Sequence, residues 1–163
     1  MDSPARVIIV EDESITALAL ARQLRRLGYE VVALARSGPQ AIECALTCSP
    51  DVVLMDIRLQ GTMDGVEAAR HIQASAPIPV VYMSANADAT TVERIQAAQP
   101  AGFVPKPIHY PTLHALLQRV LSGSVRPSPV KAVHCRLGNV PRADAPRPHA
   151  GAPGAFHFRA TML

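Results

Sequence analysis

Between Arg6 and Ser122, short apolar runs alternate with stretches in which apolar residues recur at helical spacing. Four runs, Val7 to Val10, Val31 to Ala35, Val52 to Met55 and Val80 to Met83, are continuous rather than alternating. That is the pattern of strands buried on both faces of a parallel sheet. A fifth, weaker run lies near Gly102 to Pro105. Between the runs, Leu20, Leu24 and Leu27 make one helical stripe, Val66, Ala69 and Ile72 another, Val92, Ile95 and Ala98 a third, and Leu113, Leu116, Leu117, Val120 and Leu121 the last. Start and stop signals frame these stripes. Ser14 is placed to cap the first helix and Gly28 to end it; Ser37-Gly38-Pro39 opens the second and Ser49-Pro50 closes it. The third stops before Pro77, and Asp88 or Thr90 begins the fourth. Strands alternating with helices in this way predict repeated βαβ units.

Chemically apt groups follow the apolar runs directly. Glu11 and Asp12 follow the first, Asp56 the third, Ser84 the fourth and Lys106 the fifth. In an open parallel sheet the carboxyl ends of the strands face a common crevice. Carboxylates, a hydroxyl and an ammonium gathered there describe a site for a divalent cation and a phosphoryl group. Lys106 stands between Pro105 and Pro107 and is the single lysine before residue 123. That isolation argues against an ordinary solvated surface lysine.

Composition adds limits. A chain of 163 residues with 48% hydrophobic content has room for one domain with a real core. No apolar run approaches the roughly 18 residues of a membrane span, and Met1-Asp2-Ser3-Pro4 lacks the features of a signal peptide. A cytoplasmic protein with no membrane partner is expected. Cys44 and Cys48, beside Ala41, Ile42, Ala45 and Leu46, suit core filling on a helix, and the six histidines are too scattered for a Cys/His metal site.

The net charge of +3 conceals a division. Residues 1–122 carry ten Lys or Arg against twelve Asp or Glu, whereas residues 123–163 carry six against one. The basic excess therefore belongs to the tail, and nucleic acid is not an expected partner of the folded part. With six prolines, four glycines and no apolar periodicity, residues 123–163 read as a disordered Pro/Ala/Arg-rich tail.

VIIVEDE, PDVVLMDIRL, VVYMSA and GFVPKPI, each at the end of a different strand, make residues 6–122 resemble the receiver domain of two-component response regulators. The resemblance implies an α/β, flavodoxin-like doubly wound five-stranded parallel sheet of strand order 2-1-3-4-5, in a receiver domain over residues 1–122. It implies a phosphoacceptor, Asp56, that takes a phosphoryl group from the phosphohistidine of a sensor histidine kinase or phosphotransfer protein. It implies Mg2+ held by Asp12, Asp56 and the backbone carbonyl of Arg58, with Glu11 acting through water. Lys106 and Ser84 would contact the phosphoryl group, Ser84 and Phe103 would switch, and the bond after Lys106 would be cis. Asn86 and Arg58 match two variable positions that influence the lifetime of the acyl phosphate.

In DIRLQGTMDG, Gln60 stands where many receivers have proline, and one extra residue precedes Asp64-Gly65, so the shape of this loop is open. The expected output is phosphorylation-dependent protein contact, with a homodimer or effector docked on the fourth helix, fifth strand and fifth helix. Such a chain promotes its own phosphorylation and dephosphorylation rather than being a turnover enzyme. Two other readings stand beside it. One is a degenerate receiver serving as a constitutive binding module. The other is a nucleic-acid-binding regulator using Arg126, Lys131, Arg136, Arg142, Arg147 and Arg159 of the tail. A haloacid-dehalogenase-type phosphatase also uses a nucleophilic aspartate with Mg2+, but needs a second acid two positions later, where this chain has Arg58.

Overall fold

In a computed structural model, residues 3–85 and 89–123 are described. Five strands and five helices alternate: β1 (Arg6–Val10), α1 (Ser14–Arg26), β2 (Glu30–Ala35), α2 (Gly38–Cys48), β3 (Val52–Asp56), α3 (Gly65–Ser75), β4 (Val80–Ser84), α4 (Ala89–Ala97), β5 (Gly102–Pro105) and α5 (Tyr110–Gly123). The strands form one sheet in the order β2-β1-β3-β4-β5, every pair parallel. The flavodoxin-like architecture expected from the sequence is thus the architecture observed. Tail residues 124–163 and Asn86 lie outside the described residues.

The continuous apolar runs are explained by helices on both faces. On one face Leu20, Leu24, Leu113 and Leu117 of α1 and α5 pack on Val7, Ile9, Leu54 and Met83. On the other, Ala41 and Ala45 of α2, Val66, Ala69 and Ile72 of α3, and Ile95 of α4 pack on Ile8, Val10, Met55 and Tyr82. Alternate residues of one strand feed opposite cores, so β3 and β4 are buried along their whole length. Cys48 is buried in the second cluster and Cys44 packs at its edge.

Helix ends follow local chemistry with one correction. Ser37 caps α2 by accepting a hydrogen bond from the Gln40 amide, and Gly28 lies just past α1 at φ 90°, a conformation that glycine adopts without strain. Ser14, expected to cap α1, is instead its first residue; Glu13 holds the cap position without a side-chain bond to the helix backbone. Its carboxylate accepts from the Thr16 hydroxyl at 2.7 Å, so Glu13 at this end has found a side-chain partner. Among the described residues α4 begins at Ala89, one residue before Thr90; Asp88, the other residue expected to begin it, lies outside the described residues.

Candidate functional site

β1 and β3 are neighbours in register, Val10 opposite Met55, so the residues that follow, Glu11 and Asp12 on one side and Asp56 on the other, emerge side by side. The Glu11 amide donates to the Ala35 carbonyl at 2.9 Å, which holds the start of the loop to β2. Arg36, next along, donates from its guanidinium to the Asp12 carbonyl at 3.3 Å. Ligand atoms of Glu11, Asp12 and Asp56 all lie within 4.8 Å of one another. Three hard carboxylate donors gathered so closely suit Mg2+, which prefers oxygen ligands and is usually held by one or two carboxylates.

Lys106 enters from the opposite side. β5 pairs with β4, and the Lys106 amide donates to the Ser84 carbonyl at 2.8 Å, tying the two strand ends together. The Lys106-Pro107 bond is cis, as the resemblance implied. The ammonium donates to Asp56 Oδ2 at 2.5 Å and to Glu11 Oε2 at 2.6 Å, joining residues 50 and 95 positions away in the chain. The other Asp56 oxygen, Oδ1, accepts from the Arg58 amide at 3.2 Å.

Glu11 is 2% exposed, Asp56 6% and Ser84 3%, an unusual burial for two acids and the reason their charges matter. Burial is the largest influence on Glu11 and pushes its carboxyl up; the Lys106 hydrogen bond draws it back, and the charge of Asp56 raises it again, so it ends above its ordinary value. Burial pulls Lys106 down, but its hydrogen bonds to Asp56 and Glu11, with their charges, outweigh this and hold the ammonium above its usual value. One firmly protonated lysine thus lies between two buried carboxylates.

The loop left open by the sequence has a defined seat. Asp64 caps α3 by accepting from the Glu67 amide at 2.9 Å, and the Gly65 amide donates to the Ile57 carbonyl at 2.9 Å. A Cβ at Gly65 would lie 1.9 Å from the Asp56 carbonyl oxygen, so the loop returns hard against the strand end it left. Met63 packs at the edge of the core, where a Cβ at Gly38 would come within 2.7 Å of its side chain. The longer loop is therefore keyed to α2 by Met63.

Other sequence-singled residues fall less centrally. Phe103 is on β5 and 42% exposed, outside the acidic cluster. His109 is bonded to Thr112 at 2.8 Å, and His114 Nδ1 lies 3.0 Å from the Tyr29 hydroxyl, joining α5 to the residue before β2. Two residues not singled out from sequence, Arg94 and Tyr82, also stand out in the structure. Arg94 of α4 donates to Asp64 Oδ2 at 2.7 Å, and Tyr82 of β4 is wholly buried, hydroxyl included. A helix-capping Asp-Gly was the one available signal; nothing local ties residue 64 to residue 94.

Comparisons with known proteins agree with this geometry. The response regulator receiver domain family matches residues 7–118. The transcriptional regulatory protein PdtaR of Mycobacterium tuberculosis is 34% identical over 119 residues, covering 73% of this chain and 58% of that protein. A protein-glutamate methylesterase/protein-glutamine glutaminase of Archaeoglobus fulgidus is 36% identical over 104 residues, 63% of this chain but 30% of its own. The chain thus spans little more than half, or less, of these curated relatives.

Among solved structures, the signal receiver domain of a modulated diguanylate cyclase from Desulfovibrio desulfuricans matches with a TM-score of 0.70 and 34% identity over 73% of this chain and 94% of that one. The receiver domain of a Pseudomonas aeruginosa sensor histidine kinase, with a magnesium ion coordinated in its active-site cleft, matches with a TM-score of 0.67 and 31% identity over 73% and 98%. Sheet order, the strand-end acids and the matched family lead to one conclusion: this chain belongs to the response regulator receiver domain family.

Proposed function

We propose that Asp56 is the phosphoacceptor and that its modification controls contacts with other proteins. The observation that carries this reading is the ammonium of Lys106 bonded to both Asp56 and Glu11 beside a third carboxylate, Asp12. In the transfer, an Asp56 carboxylate oxygen attacks phosphorus, the P–N bond to the donor histidine breaks, and the departing imidazole keeps the bond electrons and is protonated. Negative charge spreads over the phosphoryl oxygens as this happens, so positioning and charge neutralisation supply most of the catalysis. Lys106 supplies one positive charge from a fixed direction. The Ser84 hydroxyl, at the adjoining strand end, serves as a donor to a phosphoryl oxygen.

Mg2+, when bound, supplies the second centre of positive charge. Asp12 and Asp56 would hold it, joined by the Arg58 carbonyl and, through water, Glu11. Lys106 must then give up part of its hold on Asp56, and Glu11 remains as its partner. The chain acts as a phosphoacceptor that promotes its own phosphorylation and dephosphorylation, with a sensor histidine kinase or phosphotransfer protein as donor. Phe103, half-exposed on β5, belongs with α4, β5 and α5 to the face through which a second copy or an effector would dock.

Intact-protein mass after exposure to acetyl phosphate tests the acceptor. A labile gain of one phosphoryl group that needs Mg2+ and disappears in Asp56→Asn is expected. No gain, together with no response of amide resonances to beryllofluoride, would leave a retained fold that serves as a constitutive binding module.

A further inference from the structure

Arg36 is the first residue past β2, and the register of the sheet decides what it faces. The last pair joining β1 to β2 is Val10 with Ala35, and the Glu11 amide continues the ladder to the Ala35 carbonyl at 2.9 Å. Residue 36 therefore leaves the sheet beside Glu11 and Asp12. Its backbone is held from the other side, because the Arg36 amide donates to Gln40 Oε1 of α2 at 2.8 Å while the Gln40 amide donates to the cap residue Ser37. From this anchored start the guanidinium reaches the Asp12 carbonyl at 3.3 Å. Among the described residues it forms no ion pair. An exposed bond of that length contributes little by itself, so what Arg36 brings is a fixed positive charge at a defined place.

The carbonyl and carboxylate of one aspartate lie about 3–5 Å apart, which puts that charge within about 8 Å of the Asp12 carboxylate. The charges of the site explain its use. Glu11, Asp12 and Asp56 are three carboxylates served by the one ammonium of Lys106. A divalent cation brings that set to neutrality without Arg36, whose charge is then surplus and opposes the cation. An acyl phosphate on Asp56 carries about two negative charges where the carboxylate had one, and the surplus charge is then matched. We propose that Arg36 is a positioning residue of the acidic site, held against the Asp12 carbonyl so that its charge loosens the binding of a divalent cation in the resting chain and stabilises the phosphorylated form.

This inference rests on Asp56 being the acceptor, and cation binding is read separately from modification. Amide NMR of the full chain at low ionic strength follows Mg2+ alone, then beryllofluoride at saturating Mg2+, for the wild type, Arg36→Gln and Arg36→Lys. Arg36→Gln should lower the half-saturating Mg2+ concentration by about two- to fivefold and raise that of beryllofluoride by a similar factor, both differences shrinking when salt is added. Arg36→Lys keeps the charge and should stay close to the wild type in both titrations. Shifts of the same sign in Arg36→Gln would mean that only the loop has been disturbed and overturn the proposal, as do two unchanged midpoints or a lysine variant that follows the glutamine one. A wild type that binds Mg2+ yet does not respond to beryllofluoride sinks the acceptor assignment itself, and this inference with it.

Discussion

Replacing Lys106 with methionine isolates what its ammonium does. Methionine keeps an unbranched stem of similar length, so the packing change is small. The electrostatic change is large. Two carboxylates, 2% and 8% exposed at the side chain, lose the cation that lies 2.6 and 2.5 Å away. Breaking a buried pair by removing one partner costs about 3–5 kcal/mol. Lys106 itself is 20% exposed, and Glu11 can escape the remaining repulsion by taking a proton, so about 2–3 kcal/mol is the expected loss without metal at neutral pH. For a domain of this size that is roughly 6–15 °C in melting midpoint.

The pH dependence gives the sign. Glu11 already has a raised folded-state pKa, so its folded form binds a proton more tightly than its unfolded form. Stability from that term is fully present below the ordinary value of 4.5 and is lost as pH rises through the raised value. Removing Lys106 raises Glu11 further, and the deficit of the variant should shrink as pH falls from 8 toward about 5. Mg2+ should also shrink it, since a cation between the same carboxylates replaces the lost charge. Thermal and urea melts of both proteins across that range, with and without Mg2+, supply the measurement. A variant within about 0.5 kcal/mol of the wild type at pH 8, or with a deficit independent of pH, would refute the view that Lys106 neutralises two buried acids.

Gly65→Ala should be severely destabilising, about 3 kcal/mol or more, because its Cβ would overlap the Asp56 carbonyl at 1.9 Å and neither backbone can retreat; a urea midpoint near that of the wild type would show that the loop is not seated against β3. Gly38→Ala meets only the Met63 side chain, so its loss should stay near 1 kcal/mol and a second change, Met63→Ala, should recover part of it. At Asp64, burial alone would raise the carboxyl, but the Glu67 amide and Arg94 outweigh it and hold it below its ordinary value of 3.8. Its stabilisation is therefore present above that value and lost as pH falls through the lowered one. Asp64→Ala should cost about 1 kcal/mol at neutral pH and Asp64→Asn less, since asparagine still caps; equal losses in chemical melts would mean that the cap contributes nothing.

Much of this molecule was legible in the chain because its decisive signals are local. Continuous apolar runs are long enough only for strands, glycine and proline mark the helix ends, and Glu11, Asp12, Asp56, Ser84 and Lys106 stand at or just past strand ends, so locating the strands located the candidate site. The cap of α1 was read wrongly for a local reason too: Ser14 is a better capping residue than Glu13, and the backbone nevertheless enters the helix one residue earlier. Tertiary structure alone decided how the charges pair. Lys106 meets an acid 95 residues away, Met63 of the loop before α3 finds Gly38 in α2, and Arg94 of α4 finds Asp64 30 positions earlier. Periodicity tells which face of an element is buried, but which side chains share a buried volume depends on strand order, helix tilt and loop path, and burial in turn sets whether a carboxylate, an ammonium or a hydroxyl is ordinary or poised.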